Sequence, residues 1–95
     1  MVRHIVFFKL KEPTPEAAQE LRRELLHLKE HIEELEALEV GINFKESERA
    51  YDLALVADFA DEGALGRYAT HPYHLEVIDL IKKICIDTKV VDYKY

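Results

Sequence analysis

A chain of 95 residues, 48% hydrophobic and 34% charged, predicts one globular domain over 1–95, since its length leaves no room for a second core. A net charge of -6 without clusters of Lys and Arg argues against a nucleic-acid partner. The sequence has no apolar run of about 18 residues and no basic-then-apolar leader, which predicts a cytoplasmic protein without a membrane partner. Cys85, the single cysteine, lies between two isoleucines and is expected to be a buried apolar residue.

Hydrophobic patterns predict the first strand and the first helix. Val2–Leu10 is rich in Val, Ile and Phe on both faces, which predicts a central strand. Thr14 followed by Pro15 is typical of a helix start, because a hydroxyl caps free N–H groups and proline suits the first helical position. Apolar residues then recur at steps of three and four, which predicts one long amphipathic helix with the stripe Ala18, Leu21, Leu25, Leu28, Ile32 and Leu35.

The rest of the chain alternates between strand and helix patterns. Residues 38–44 and 51–59 alternate apolar and polar side chains, with Phe44 on the apolar side, and predict an antiparallel hairpin. Asp61 is expected to cap a short helix, His71 precedes a second helix that starts at Pro72, and 84–95 is a last strand. The order is the ferredoxin-like βαββαβ arrangement, an α+β fold with helices on one face of a four-stranded antiparallel sheet.

The face of this sheet that carries no helices predicts an assembly. Helices on one side leave the other side uncovered, and the first strand is apolar on both sides. A domain of this size buries only about 60–65% of the surface that its unfolded chain exposes. We therefore expect a homodimer in which two sheets pack face to face.

The segment from Tyr68 to His74 concentrates proton-handling groups at a helix start. Pro72 at the first helical position places His74 in the first turn, where the positive field of the N–H groups disfavours the imidazolium. A neutral imidazole accepts protons, so His74 is a candidate general base, and the Tyr68 hydroxyl can stabilise an oxyanion. The alternatives are a helix cap for His71, a ring at the solvent edge for His74 and an ordinary buried aromatic for Tyr68.

His4 and Asp92 are the other candidates for chemistry. His4 shares a strand face with Val2, Val6 and Phe8, where a polar ring needs either a cavity or a structural hydrogen bond. Asp92 is a carboxylate able to orient a histidine.

Metal binding is the weaker interpretation of the histidines. His27 and His31 have an i, i+4 spacing, and the histidines at 4, 71 and 74 can in principle gather, but no ligand motif accompanies them. The sequence also contains no Gly-rich phosphate loop and no CxxC pair. We therefore predict neither a metal nor a cofactor.

Three segments together resemble the stress-responsive dimeric α/β-barrel (Dabb) family, and they extend from one end of the chain to the other. They are Arg3-His4-Ile5-Val6-Phe7-Phe8-Lys9-Leu10-Lys11, the segment Tyr68…His71-Pro72-Tyr73-His74, and Val91-Asp92-Tyr93. The His-Pro-x-His element is the most specific of them. The resemblance implies a ferredoxin-like protomer whose dimer closes into a barrel, with a pocket between sheet and helices.

The resemblance also implies site residues and candidate functions. In the plant polyketide cyclase of this family, a histidine removes a proton in a cofactor-free intramolecular aldol condensation. Carried over, His74 is the base, Asp92 its orienter, and Tyr68 and His4 position the substrate or its oxyanion. The ligand-binding residues that we predict, for a small apolar or aromatic ligand, are Val6, Phe8, Leu21, Leu25 and His71; Leu21, Leu25 and Leu28 depart from the family pattern, because a cyclase pocket is expected to include aromatics there. Three functions stay open: a cofactor-independent acid/base enzyme acting on a small carbonyl compound, a non-catalytic stress-related ligand-binding or structural homodimer, and a cofactor-free monooxygenase.

Overall fold

Four antiparallel strands and the helices between them form the fold, as a computed structural model of residues 1–95 shows. The sheet has the strand order β2-β3-β1-β4, and every neighbouring pair is antiparallel. This arrangement confirms the predicted ferredoxin-like fold. The elements are β1 Val2–Leu10, α1 Pro15–Leu26, α2 Leu28–His31, β2 Ala37–Ile42, β3 Leu53–Phe59, α3 Glu62–Ala69, α4 Pro72–Ile84 and β4 Cys85–Lys94.

The first strand lies at the centre of the sheet, as its apolar composition predicts. It pairs with β3 on one side and with β4 on the other, and the register places His4 opposite both Ala57 and Asp92. Because side chains alternate along a strand, these three residues share one face of the sheet. That is the face on which the helices pack, so the register brings Asp92 to the site that His4 occupies.

Three predicted helix starts are confirmed by their hydrogen bonds. The Thr14 hydroxyl accepts from the backbone N–H of Ala17 at 3.1 Å, and the Asp61 carboxylate accepts from that of Ala64 at 2.8 Å. The His71 ring accepts from the backbone N–H of Tyr73 at 3.1 Å. Each bond satisfies an N–H group that has no partner within its own helix.

The prediction of one long helix is wrong beyond Leu26. The helix ends there, a short turn of helix follows as α2, and Ile32 is already extended at φ -123° and ψ 106°. A continued helix would carry Glu33, Glu34 and Glu36 at its negatively polarised C-terminal end, where carboxylates are unfavourable. The apolar stripe still marks the core, because Leu28, Ile32 and Leu35 are each 1% exposed.

The first strand of the predicted hairpin is also shorter than its alternating pattern suggests. β2 ends at Ile42, and Phe44 is 97% exposed rather than on the buried face. The Asn43 side chain donates to the carbonyl of Lys45 at 2.9 Å, which turns the chain away from the sheet. Such side-chain bonds to nearby backbone compete with strand pairing.

The core lies between the helices and the facing side of the sheet. Phe59, Leu21, Leu25 and Leu55 are among its largest fully buried side chains, and Cys85 is buried as predicted. No helix combines the length and the apolar character needed to cross a bilayer.

The opposite face of the sheet carries no helix and is apolar at its centre. Ile5, Phe7, Val56 and Val91 point to this side by strand alternation. Phe7 and Val91 are 44% and 60% exposed. A protein surface of this kind is typical of an interface.

Candidate functional site

A cavity of about 350 Å³ lies between the sheet and the helices, with lining residues on β1, β3 and β4 and on all four helices. Most of its lining is apolar, including Val6, Phe8, Leu25, Val77 and Val90. The polar exceptions are His4, Tyr68, His74, Lys82 and Thr88. An apolar cavity of a few hundred Å³ with a few convergent polar groups is typical of a small-molecule site.

His74 enters this cavity from the first turn of α4, and its backbone contact fixes the position of its proton. Its Nδ1 lies 3.0 Å from the backbone carbonyl of Ala69. Since a carbonyl only accepts, Nδ1 must donate, which leaves Nε2 of the neutral ring unprotonated. Burial lowers the pKa of His74 below its ordinary value. The ring is therefore neutral near pH 7 and able to accept a proton.

The lowered pKa of His74 predicts a pH dependence of stability. An unfolded histidine titrates near about 6.5, and His74 in the fold titrates below that. Between the two values the unfolded chain binds more protons, so the free energy of unfolding falls as pH falls through this window. Urea denaturation at pH 7.5 and 5.5 should show a larger loss for wild type than for His74→Gln. Equal losses in the two proteins would contradict this reading of the site.

Tyr68 of α3 lies directly against His74. The two ring centroids are 4.2 Å apart, and Tyr68 as a whole is only 3% exposed. Burial raises the pKa of the Tyr68 hydroxyl above its ordinary value. The phenol is therefore protonated at neutral pH and can donate a hydrogen bond to a ligand oxygen.

His4 lines the sheet wall of the cavity and is paired with Asp92, which does not itself line the cavity. The Nδ1 of His4 is hydrogen bonded to the Asp92 carboxylate, which joins β1 to β4 at the position where the register sets the two residues opposite. The His4 ring is 6.0 Å from the Tyr68 ring, centroid to centroid. The expectation that Asp92 orients His74 is therefore wrong: Asp92 holds His4, and the Ala69 carbonyl holds His74.

Two of the predicted ligand-binding residues, Leu21 and His71, do not line the cavity. Leu21 is 0% exposed and packs in the core, because α1 turns that side chain toward the sheet. The His71 ring caps α4 and does not line the cavity. Val6, Phe8 and Leu25 do line it.

Several residues that line the cavity were not predicted from the sequence, although the spacing of some of them indicates a shared helix face. Val77, Ile78 and Ile81 follow His74 at steps of three, four and seven, which marks one helix face. Thr88 pairs with Phe8 across the sheet, but that register is not readable from the sequence alone. No group of three or more His, Cys, Asp and Glu side chains is arranged to hold a metal ion.

The fold places the chain among the ferredoxin-like α+β proteins. The sequence matches the family described as stress responsive A/B barrel domain over residues 2–95. The chain belongs to this family, which confirms the resemblance found in its sequence.

Relatives of known sequence or structure agree with this assignment. An uncharacterized protein of Streptomyces coelicolor is 33% identical over 101 residues, covering 100% of both chains. A dimeric ferredoxin-like protein from Bacteroides fragilis is 27% identical with a TM-score of 0.85, covering 99% of this chain and 95% of that one. A dimeric ferredoxin-like protein from Thermobifida fusca is also 27% identical, with a TM-score of 0.86 and coverages of 99% and 90%. Both of these solved structures are dimeric.

Proposed function

We propose that this protein is a homodimeric, cofactor-independent acid/base enzyme that acts on a small, mainly apolar carbonyl compound bound in the cavity. The observation that carries the proposal is His74. Its Nδ1–H is engaged by the Ala69 carbonyl, its ring is neutral at pH 7, and a protonated phenol lies beside it in an apolar cavity. A base and a hydrogen-bond donor side by side are what proton removal next to a carbonyl requires.

The proposed reaction begins with transfer of one proton. His74 Nε2 takes a proton from the carbon next to the ligand carbonyl, and the electron pair of that C–H bond forms the enolate. The negative charge moves to the carbonyl oxygen, where the Tyr68 hydroxyl donates a hydrogen bond. The enolate carbon then either takes the proton back from the His74 imidazolium or attacks a second carbonyl of the same molecule, as in a cyclase. In the second case the C=O π electrons move to that oxygen, and the resulting alkoxide takes the proton from the His74 imidazolium.

His4 and Asp92 support a positioning role on the opposite wall. The Asp92 carboxylate accepts from Nδ1 of His4, which leaves Nε2 to hydrogen bond with a ligand hydroxyl or enol. This contact would fix the orientation of the ligand relative to His74 and Tyr68.

Deuterium exchange tests the proposal directly. Acetophenone, a small aromatic methyl ketone, is incubated with the protein in D₂O, and loss of its methyl proton signal is followed by NMR. Exchange well above the buffer rate is expected. Binding of acetophenone, seen as thermal stabilisation, without such exchange would favour the non-catalytic ligand-binding alternative. If neither is observed, the cavity does not serve small carbonyl compounds.

The homodimer is supported by the uncovered apolar face and by the dimeric relatives. On that face Arg3 and Asp58 form an ion pair at 2.8 Å at the edge of the apolar centre. A further cavity of about 400 Å³ is lined by residues that include Phe7 of the uncovered face, Tyr51 and Phe44. No histidine or carboxylate lines this second cavity, so it offers no side chain that could act as a base near neutral pH.

A charge at the centre of this face should separate the protomers. Val56→Lys puts an ammonium on the uncovered face of β3, where Glu39 is its cross-strand neighbour and can pair with it in the isolated protomer. In a symmetric interface the charge is introduced twice, so we expect the dimer dissociation constant to rise by about 100-fold or more. Sedimentation velocity over a concentration series measures the change.

Leu75→Lys is the matched control for the charged interface variant. Leu75 is 50% exposed on α4, on the helical side of the protomer, and its replacement should leave the dimer intact. A dimer that persists unchanged with Val56→Lys would contradict the face-to-face arrangement.

A further inference from the structure

The end of the cavity opposite the histidines has its own polar character. Lys82 lies in the last turns of α4, and Thr88 lies on β4 opposite Phe8. His74 and Lys82 are eight positions apart on one helix, which corresponds to about 12 Å along the helix axis. The cavity therefore has polar residues at both ends, the histidines at one and Lys82 with Thr88 at the other, and apolar residues between them.

Lys82 is the one formally charged residue in this lining. No carboxylate lines the cavity, and Lys82 takes part in none of the ion pairs of the chain. Its neighbour Lys83 is also exposed but does not line the cavity. In a chain of net charge -6, an exposed lysine in the lining of an apolar cavity is a local exception to the overall field.

We propose that Lys82 and Thr88 bind a carboxylate of the ligand, so that the substrate is an elongated keto acid. This inference rests on the proposed function and names its substrate class. The Lys82 ammonium and the Thr88 hydroxyl both donate hydrogen bonds, and a carboxylate accepts them. An apolar or aromatic body of about 12 Å then places the ligand carbonyl beside Tyr68 and His74.

A pair of nearly isosteric probes, one with a carboxylate and one with a neutral amide, tests the carboxylate site. The probes are 4-(4-acetylphenyl)butanoate and its primary amide, both of which carry a methyl ketone at the far end. The wild-type protein should bind the acid about tenfold more tightly than the amide, as measured by isothermal titration calorimetry. Lys82→Gln should remove this preference, and Lys82→Arg should restore most of it.

Lys83→Gln is the control, because it changes the net charge by the same amount from the same turn of α4. It should retain the preference for the acid. Equal affinity for the two probes, no binding of the acid, or equal losses in Lys82→Gln and Lys83→Gln would each overturn the carboxylate site.

Deuterium exchange of the probe's methyl ketone, read in the same samples, separates the two proposals. A Lys82-dependent preference for the acid without exchange overturns the catalytic proposal and keeps the carboxylate site. Exchange without any preference for the acid overturns the carboxylate site and keeps the catalytic proposal.

Discussion

Replacing His74 by glutamine is expected to lower protein-catalysed deuterium exchange into acetophenone by about 100-fold or more. Glutamine keeps a polar side chain of similar reach, but its amide is not basic enough to take a proton from carbon. The wild-type ring can do so because the Ala69 carbonyl holds Nδ1–H and burial keeps the ring neutral by lowering its pKa. The initial rate of loss of the methyl signal, followed by NMR at pH 7.5, measures the effect.

Two companion variants make the assignment of the base specific. His71→Asn retains a good helix cap and, because the structure places His71 outside the cavity, should keep the wild-type rate. Tyr68→Phe removes only the hydroxyl, and we expect a rate loss of about 10-fold to 100-fold from the lost oxyanion contact. If His4→Gln abolished exchange while His74→Gln did not, the base would be His4 with Asp92, and the proposed roles would have to be exchanged.

The parts of the fold that the sequence predicts well are those fixed by local chemistry. Continuous apolar character made β1 a central strand, and the capping side chains of Thr14, Asp61 and His71 mark their helix starts. The errors arose where a periodic pattern continued past a change of structure. Ile32 fits the helical stripe yet is extended, because the stripe records burial and not backbone conformation.

The sequence also predicted only part of the candidate site. His4, Tyr68 and His74 stand out because each places a polar group where the surrounding pattern is apolar, and the structure brings all three to one cavity. The sequence did not predict which residues would lie next to them. Asp92 lies next to His4 because β1 pairs with β4, two strands that are distant in the sequence. Lys82 and Thr88 line the same cavity because α4 and β4 both border it. Such long-range geometry depends on tertiary packing that residue types alone do not specify.

Phe59→Ala is expected to lower the free energy of unfolding by about 3–5 kcal/mol. Phe59 is 0% exposed at the end of β3, and its ring centroid is 4.9 Å from that of Tyr68 and 6.3 Å from that of His4. Truncation removes the buried ring and leaves a cavity that the surrounding core only partly fills. Urea denaturation at one fixed protein concentration measures the loss, since dimerisation would otherwise contribute to apparent stability.

Phe44→Ala provides the matched comparison, because the same chemical change is made at a residue that is 97% exposed. It should change the free energy of unfolding by less than about 0.5 kcal/mol. Similar effects of the two variants would mean that Phe44 is buried in solution, most simply against a partner protomer, and would move the dimer contact toward the hairpin. Because the Phe59 ring lies next to the rings of Tyr68 and His4, its truncation should also slow deuterium exchange, whereas Phe44→Ala should not.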